Sequence, residues 1–169
     1  LAGGDSGQGR LAAPEVIVAG IEAALAARRD LAGLHVVVTA GGTREPLDPV
    51  RFVGNRSSGK QGHALAAEAA DRGAKVTLVT TVALPAPASA DVVRVETAAE
   101  MDAAVRAVAS GADVVVMAAA VADFRPAQVA ERKIKKHGDV PEIRLKPTID
   151  ILAGLEERKP PGQTLVGFA

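Results

Sequence analysis

Five short apolar runs, rich in β-branched residues, alternate with segments of helical periodicity, and this alternation constrains the fold more than any other feature of the sequence. The runs are His35–Thr39 (HVVVT), Lys75–Val79 (KVTLV), Val92–Val95, Asp113–Met117 (DVVVM) and Thr164–Phe168 (TLVGF). Strands that are apolar throughout, rather than at every second position, are covered on both faces, as in parallel sheets. Between them, Gly62–Arg72 reads as a helix that Ser57 or Ser58 can cap and that stops at Gly73, the expected left-handed C-terminal position. Thr97 and Glu100 form a capping-box pattern for a helix through about Val108, and Thr148 can cap a final helix to about Arg158. The expected class is therefore α/β: a Rossmann-like, doubly wound, mainly parallel sheet with helices on both faces.

The flanking segments read differently. Leu1–Gly9 is a linker of Gly, Ala and Ser with little to bury. Pro14–Arg29 carries Val16, Ile17, Ile21, Ala24 and Leu25 at helical spacing, with Pro at the first turn and Arg28 and Arg29 near the end. This short amphipathic helix stands outside the main pattern. Residues 125–146 are basic and polar without clear periodicity and read as a mobile flap. A domain that stops on its fifth strand also reads as a fragment of something longer.

Composition narrows the functions. With 48% hydrophobic residues in 169, the chain can bury one sizeable core, and a single main domain fits. Lys plus Arg and Asp plus Glu both number 20, so no global field draws the chain to nucleic acid or an anionic membrane, and any anion site must be local. The absence of cysteine excludes a disulfide framework, a zinc–thiolate site and a cysteine nucleophile. With no Trp or Tyr and three Phe, there is no platform for stacking successive bases. No apolar run approaches the roughly 20 residues of a membrane span, and the start lacks a secretory pattern, so a cytoplasmic protein is expected.

In a doubly wound sheet, ligands bind beyond the carboxyl ends of the strands, which directs attention to the segments after Thr39, Val79, Met117 and Phe168. The first opens the stretch TAGGTREPLDPVRFVGNRSSGK, residues 39–60. Its last seven residues match a phosphate loop up to Lys60, but Gln61 stands where a magnesium-binding Ser or Thr is required, and the nearest strand ends too far upstream. The dinucleotide pattern G-x-G-x-x-G is absent as well. What remains is Gly41 and Gly42, which let main chain approach a ligand, and Ser57, Ser58 and Gly59, which offer amides and hydroxyls at a helix start. An ordinary turn and helix cap would use the same residues.

After the fourth run, MAAAVADFRP exposes backbone through small side chains, so that main-chain groups can read a nucleobase, with Asp123 available for a ribose hydroxyl or a metal. Alanine packing against a helix is the plain alternative. Arg132–Lys136 (RKIKK) places four cations in five positions, either a solvated face or a cover for a polyphosphate. Lys146 and Asp150 flank the last helix, where capping and dipole charge would also explain them.

Taken together, TAGGTREPLDPVRFVGNRSSGK, AAAVADFRP, ERKIKK, KPTIDIL and VGFA closely resemble the phosphopantothenate–cysteine ligase family, in order, from about Leu34 to Ala169. The resemblance implies a two-step reaction: a 4'-phosphopantothenate carboxylate attacks the α-phosphate of CTP and releases pyrophosphate, then the amine of cysteine displaces CMP from the acyl-cytidylate. It implies that Asn55 holds the intermediate, that Lys133 neutralises the triphosphate and that Arg51 takes a phosphate or carboxylate of the substrate. Ala119 and Ala120 would shape the substrate pocket. The nucleotide would be held by Met117, Ala118, Ala119, Asp123 with the adjoining Phe124, Lys133, Lys146, Ile149, Asp150, Ile151, Leu152 and Phe168, beside the glycine and serine segment.

Mg2+ with the nucleotide, metal ligands unassigned, and a homodimer meeting near the active site are further implications. Residues 10–30 resemble the closing helix of the flavin-dependent decarboxylase half of bifunctional members, so residues 1–33 would belong to that half and 34–169 to a synthetase domain. FMN would bind only in the half that this sequence lacks. The family also continues past VGFA, and its eukaryotic members use ATP. A nicotinamide-dependent dehydrogenase is discounted for want of the fingerprint; a non-catalytic nucleotide-binding regulatory module is the competing reading.

Overall fold

The computed structural model describes residues 11–27, 29–135 and 142–168. Leu1–Gly9, Arg28, Lys136 and Ala169, which figured in the expectations above, lie outside the described residues. In chain order the elements are α1 (Pro14–Ala27), β1 (His35–Ala40), β2 (Arg44–Asp48), β3 (Arg51–Gly54), α2 (Lys60–Asp71), β4 (Lys75–Thr80), β5 (Asp91–Arg94), α3 (Ala98–Ala109), β6 (Val114–Met117), β7 (Phe124–Pro126), β8 (Leu145–Pro147), α4 (Ile151–Glu156) and β9 (Thr164–Gly167).

The five apolar runs form one sheet in the order β5-β4-β1-β6-β9, with every pairing parallel. Successive residues of β1 point to opposite faces, and both faces are covered. Val36, Val38 and Ala40 join Val76 and Leu78 beneath Ala66 and Ala69 of α2. Val37 joins Val79, Val115 and Met117 beneath Met101 and Val105 of α3 and Ile151 and Leu155 of α4. The doubly wound class expected from the sequence is thus the fold observed. The chain builds outward from β1 in one direction through β4 and β5, then crosses back to build β6 and β9 on the other side. The helices diverge between β1 and β6, which leaves a crevice at the carboxyl ends of those two strands.

Small residues let α2 sit close on the sheet: a Cβ on Gly62 would come within 2.5 Å of the Thr39 carbonyl oxygen and 2.6 Å of Ala40 Cβ. The capping box of α3 forms as expected, Thr97 Oγ1 accepting from the Glu100 amide while the Glu100 carboxylate accepts from the Thr97 amide. A second carboxylate supports the same end from afar, since buried Glu45 accepts from the Ala98 amide at 2.8 Å.

Several expectations need correction. Neither Ser57 nor Ser58 caps α2; the N-cap is Gly59 at φ 72°, a left-handed backbone that serine adopts only under strain. Thr148 does not cap α4. Asp150 does, accepting from the Ala153 amide at 2.9 Å, and the helix ends at Glu156 rather than Arg158. The stretch between β1 and α2 is not loop alone but contains the antiparallel hairpin β2–β3, and Pro46 is tolerated there because a two-stranded ribbon leaves one side of each strand without ladder bonds. The basic segment likewise begins and ends in a ribbon, β7 pairing antiparallel with β8. The outermost run is set one residue earlier than expected, at Asp91–Arg94, and it is exposed at every position as an edge strand. Among the described residues no helix is long and apolar enough to cross a membrane.

Candidate functional site

The crevice is closed at its base by hydrogen bonds between the segments that leave β1 and β6. Thr39 and Thr43, fully buried, turn their hydroxyls sideways: Thr39 Oγ1 accepts from the Ala119 amide at 3.0 Å, and Thr43 Oγ1 from the Ala122 amide at 2.9 Å. Between these bonds the main chains pair directly, the Ala120 amide donating to the Gly41 carbonyl at 2.8 Å and the Thr43 amide to the Ala120 carbonyl at 3.2 Å. Further along, Asn55 Nδ2 donates to the Val121 carbonyl at 3.0 Å, and the Thr148 hydroxyl and amide donate to the Ala122 and Asp123 carbonyls. The chain from Ala119 to Asp123 is therefore held at nearly every residue, and its groups face the crevice in fixed positions.

The result is a cavity of about 630 Å³. Asn55 stands on one wall; Met117, Ala119 and Ala120 form the floor, with Asp123 beyond them. Ile149, Asp150, Ile151 and Leu152 line the opposite wall, and Phe168 follows β9 at the rim. Ten residues expected from the sequence thus meet in one place, from four separate stretches of chain. Leu152 comes near because β9 carries no side chain at Gly167: a Cβ there would fall 2.6 Å from Leu152 Cδ2. A cavity of this size, lined by polar and apolar groups in similar measure, suits a small polar ligand.

Other expected residues lie outside this lining. Ala118 sits behind the floor, its amide donating to the Val116 carbonyl at 3.2 Å. Phe124 and Lys146 fall on the β7–β8 ribbon, where Arg125 stands opposite Lys146, two cations in register. Lys133 is exposed on the segment beyond β7.

The glycines and serines form a tight cradle beside the cavity. Gly41 and Gly59 both have positive φ, and a Cβ on Gly59 would fall 2.4 Å from Val82 Cγ2 and 3.2 Å from the Gly41 amide nitrogen. A Cβ on Gly41 would fall 2.2 Å from Thr81 Oγ1, a buried hydroxyl without a hydrogen-bond partner among the described residues. One on Gly42 would fall 2.4 Å from the Asn55 carbonyl oxygen. These glycines bring the strand β1 exit and the α2 entrance into direct main-chain contact. Ser57 and Ser58 turn their hydroxyls back onto the Gly59 and Lys60 amides at 3.4 Å.

Arg51 is engaged inside the protein. Its guanidinium makes an ion pair with Asp48 at 2.5 Å and donates to the Ile134 carbonyl at 2.9 Å, although 44% of its side chain remains exposed. The Asp48 side chain is fully buried and also accepts from the Val50, Arg51 and Ile134 amides. The Arg51 guanidinium, and then these amides, hold the Asp48 carboxyl well below the usual carboxylate range against the cost of burial. Sequence reasoning missed Asp48 together with Thr39, Thr43, Val121, Ala122 and Thr148. Thr39 and Thr43 did carry a signal: hydroxyls flanking a glycine pair at the end of a buried strand must find partners inside the protein.

A parallel α/β domain with a preformed ligand crevice at the reversal of strand order is what this fold and site define. The model of the family described as "DNA/pantothenate metabolism flavoprotein C-terminal domain" matches residues 31–169, and the chain belongs to that family. The protein named "Coenzyme A biosynthesis bifunctional protein CoaBC" from Mycobacterium tuberculosis (strain ATCC 25618 / H37Rv) is 52% identical over 181 aligned residues, which take in 100% of this chain and 43% of that protein. The protein of the same name from Escherichia coli (strain K12) is 48% identical, across 98% of this chain and 42% of its own length. The chain spans less than half of these relatives. The crystal structure of the C-terminal domain of such a protein superposes with a TM-score of 0.72 at 44% identity, covering 83% of this chain and 66% of that one.

Proposed function

We propose that this chain is the phosphopantothenate–cysteine ligase domain of a coenzyme A biosynthesis protein and that it uses CTP. The observation that carries the reading is the single cavity into which Asn55, Met117, Ala119, Ala120, Asp123, Ile149–Leu152 and Phe168 converge, at the switch point of the sheet. The substrate carboxylate attacks the α-phosphate of CTP and pyrophosphate leaves; the cysteine amine then attacks the acyl carbon and CMP leaves. In this reading the nucleoside lies on the floor formed by Met117, Ala119 and Ala120, where small side chains leave main-chain carbonyls to read the base, and Asp123 receives a ribose hydroxyl.

Asn55 contributes an amide donor rather than a base. Its Nδ2 is already aimed across the crevice at the Val121 carbonyl, and it orients the acyl-cytidylate while the amine attacks. Lys133 supplies positive charge to the leaving pyrophosphate. Magnesium would accompany the nucleotide and neutralise charge on its phosphates.

The exposed apolar side chains of α1, among them Val16, Ile17, Ile21 and Leu25, support assigning that helix to a preceding decarboxylase half, where FMN would bind. A homodimer belongs to the same proposal. The test is pyrophosphate release by the intact protein with magnesium, 4'-phosphopantothenate and either CTP or ATP, followed by cysteine. CTP-dependent release and then a cysteine-dependent amide product support the ligase. Binding of CTP with no release, in protein that is folded, favours a regulatory nucleotide-binding module instead.

A further inference from the structure

The polar groups of one residue in the basic segment are both taken by a single ion pair. Ile134 donates its amide to Asp48 Oδ2 at 3.1 Å and receives Arg51 Nη2 on its carbonyl at 2.9 Å, while Arg51 and Asp48 are joined to each other at 2.5 and 3.0 Å. The pair therefore presents an acceptor and a donor side by side, as a neighbouring strand would, to a stretch of chain that belongs to no strand. Asp48 is itself fixed, its Oδ1 accepting the Val50 and Arg51 amides at 2.9 Å in the turn between β2 and β3. A second bond, from the Ala130 amide to the Leu47 carbonyl at 3.0 Å, ties the same segment to the same hairpin four residues earlier. Lys133 lies between these two attachments, next to the one made by the ion pair, and its side chain is exposed.

We infer that Asp48 is a positioning residue for Lys133: through Arg51 and the Ile134 backbone it fixes the main chain from which the lysine reaches the nucleotide. The inference rests on the reading of Lys133 given above. It assigns Arg51 to the same device, as the donor that completes the grip. Asp48 touches no substrate; it reduces the conformations from which the Lys133 ammonium must be drawn when charge builds on the leaving pyrophosphate. A displacement of about 1 Å at a reacting centre can cost about 100-fold in rate, so an anchor of this kind has consequences out of proportion to its distance from the chemistry.

The experiment is a double-mutant cycle on the intact protein, with Asp48→Asn, Lys133→Ala and both together. Pyrophosphate release under CTP saturation and under limiting CTP is read beside the rate of trypsin cleavage after Arg132, Lys133 and Lys135. Asp48→Asn keeps the size of the side chain and can still accept from the turn amides, and a thermal melt verifies that it folds. The expected result is a loss of about 10- to 100-fold in kcat/KM for CTP with Lys133 present, no further loss in the Lys133→Ala background, and cleavage at Arg132 and Lys135 about tenfold faster in Asp48→Asn. Equal losses in both backgrounds, or unchanged cleavage, overturn the inference, since a general structural role predicts the first and a segment held by other contacts the second. Full activity in Asp48→Asn beside an impaired Lys133→Ala overturns the inference alone. Full activity in Lys133→Ala instead removes the catalytic reading of Lys133 on which it stands. Arg51→Lys is the second variant: it keeps the charge but not the fork, and it should lose the trypsin protection in the same way.

Discussion

Two stretches without regular structure flank β7, Ala119–Asp123 before it and Ala127–Lys135 after it, yet they are held in opposite ways. The first is bound residue by residue to Thr39, Gly41, Thr43, Asn55 and Thr148, with two of its anchoring hydroxyls fully buried. The second is fixed at Ala127, at Ala130 and at Ile134, and the last attachment depends on one carboxylate and one guanidinium. A cavity floor is preserved by many small bonds that fail separately. An arm that carries a charge to a ligand depends on few, so one side chain decides whether it stays in place.

Five measurements break or sharpen that contrast. The largest effect is expected from Asn55→Ala, which removes the amide that ties one wall of the crevice to its floor: ligation should fall by about 100-fold or more while the melting curve moves little, as when a single preorganised donor is lost from an active site. An unaltered rate would detach Asn55 from the chemistry. Next, Gly41→Ala introduces a Cβ at positive φ within 2.2 Å of Thr81 Oγ1, and chemical denaturation should report a loss of about 3 kcal/mol. A neutral result would mean that the cradle yields. Thr43→Val leaves the Ala122 amide buried and without its acceptor, which costs about 1–3 kcal/mol by the same assay and should perturb ligand binding in addition. Native-state hydrogen exchange then compares the regions directly: the Ala119 and Ala122 amides should exchange only with global unfolding, and the Ile134 amide by local opening at lower free energy. Equal protection would erase the distinction.

The smallest effect concerns acid. Because the Asp48 carboxyl is held below its ordinary 3.8, its ion pair contributes stability that is complete above that value and is lost as pH falls through the depressed folded value. An acid titration of the parent should therefore show a steeper loss below about pH 4 than Asp48→Asn. Coincident acid limbs would mean that the pair forms equally well in the unfolded chain.

The contrast also explains what could be read from the sequence. β1, β4 and β6 were legible because a strand covered on both faces must be apolar along its length, the edge strands β5 and β9 through their β-branched residues, and the helices because a helix on one face must repeat its apolar positions. The residues that meet in the cavity were legible through the family resemblance, since no spacing rule brings Asn55 to Val121 or Leu152 to Gly167. The hairpin β2–β3 was hidden because a proline stands within it at Pro46, and because its buried face carries two carboxylates, Glu45 and Asp48, beside a single apolar residue, Leu47. Ser57, Ser58 and Thr148 have the chemistry of helix caps, but the caps fall to Gly59 and Asp150; side-chain chemistry says what can cap, whereas backbone angle and long-range partners decide what does. Arg51 was expected at the substrate, and Asp48 was not singled out at all. Their partner lies more than eighty positions away, and only the fold puts it beside them.

The hydroxyl stitches of Thr39 and Thr43 also apportion entropy. Ordering the crevice floor is charged to folding, so a ligand that settles there meets groups already immobilised and binds without an ordering cost from that side. The heat-capacity change of nucleotide binding should then reflect surface buried rather than chain folded, and any excess over that area would report on the basic segment alone.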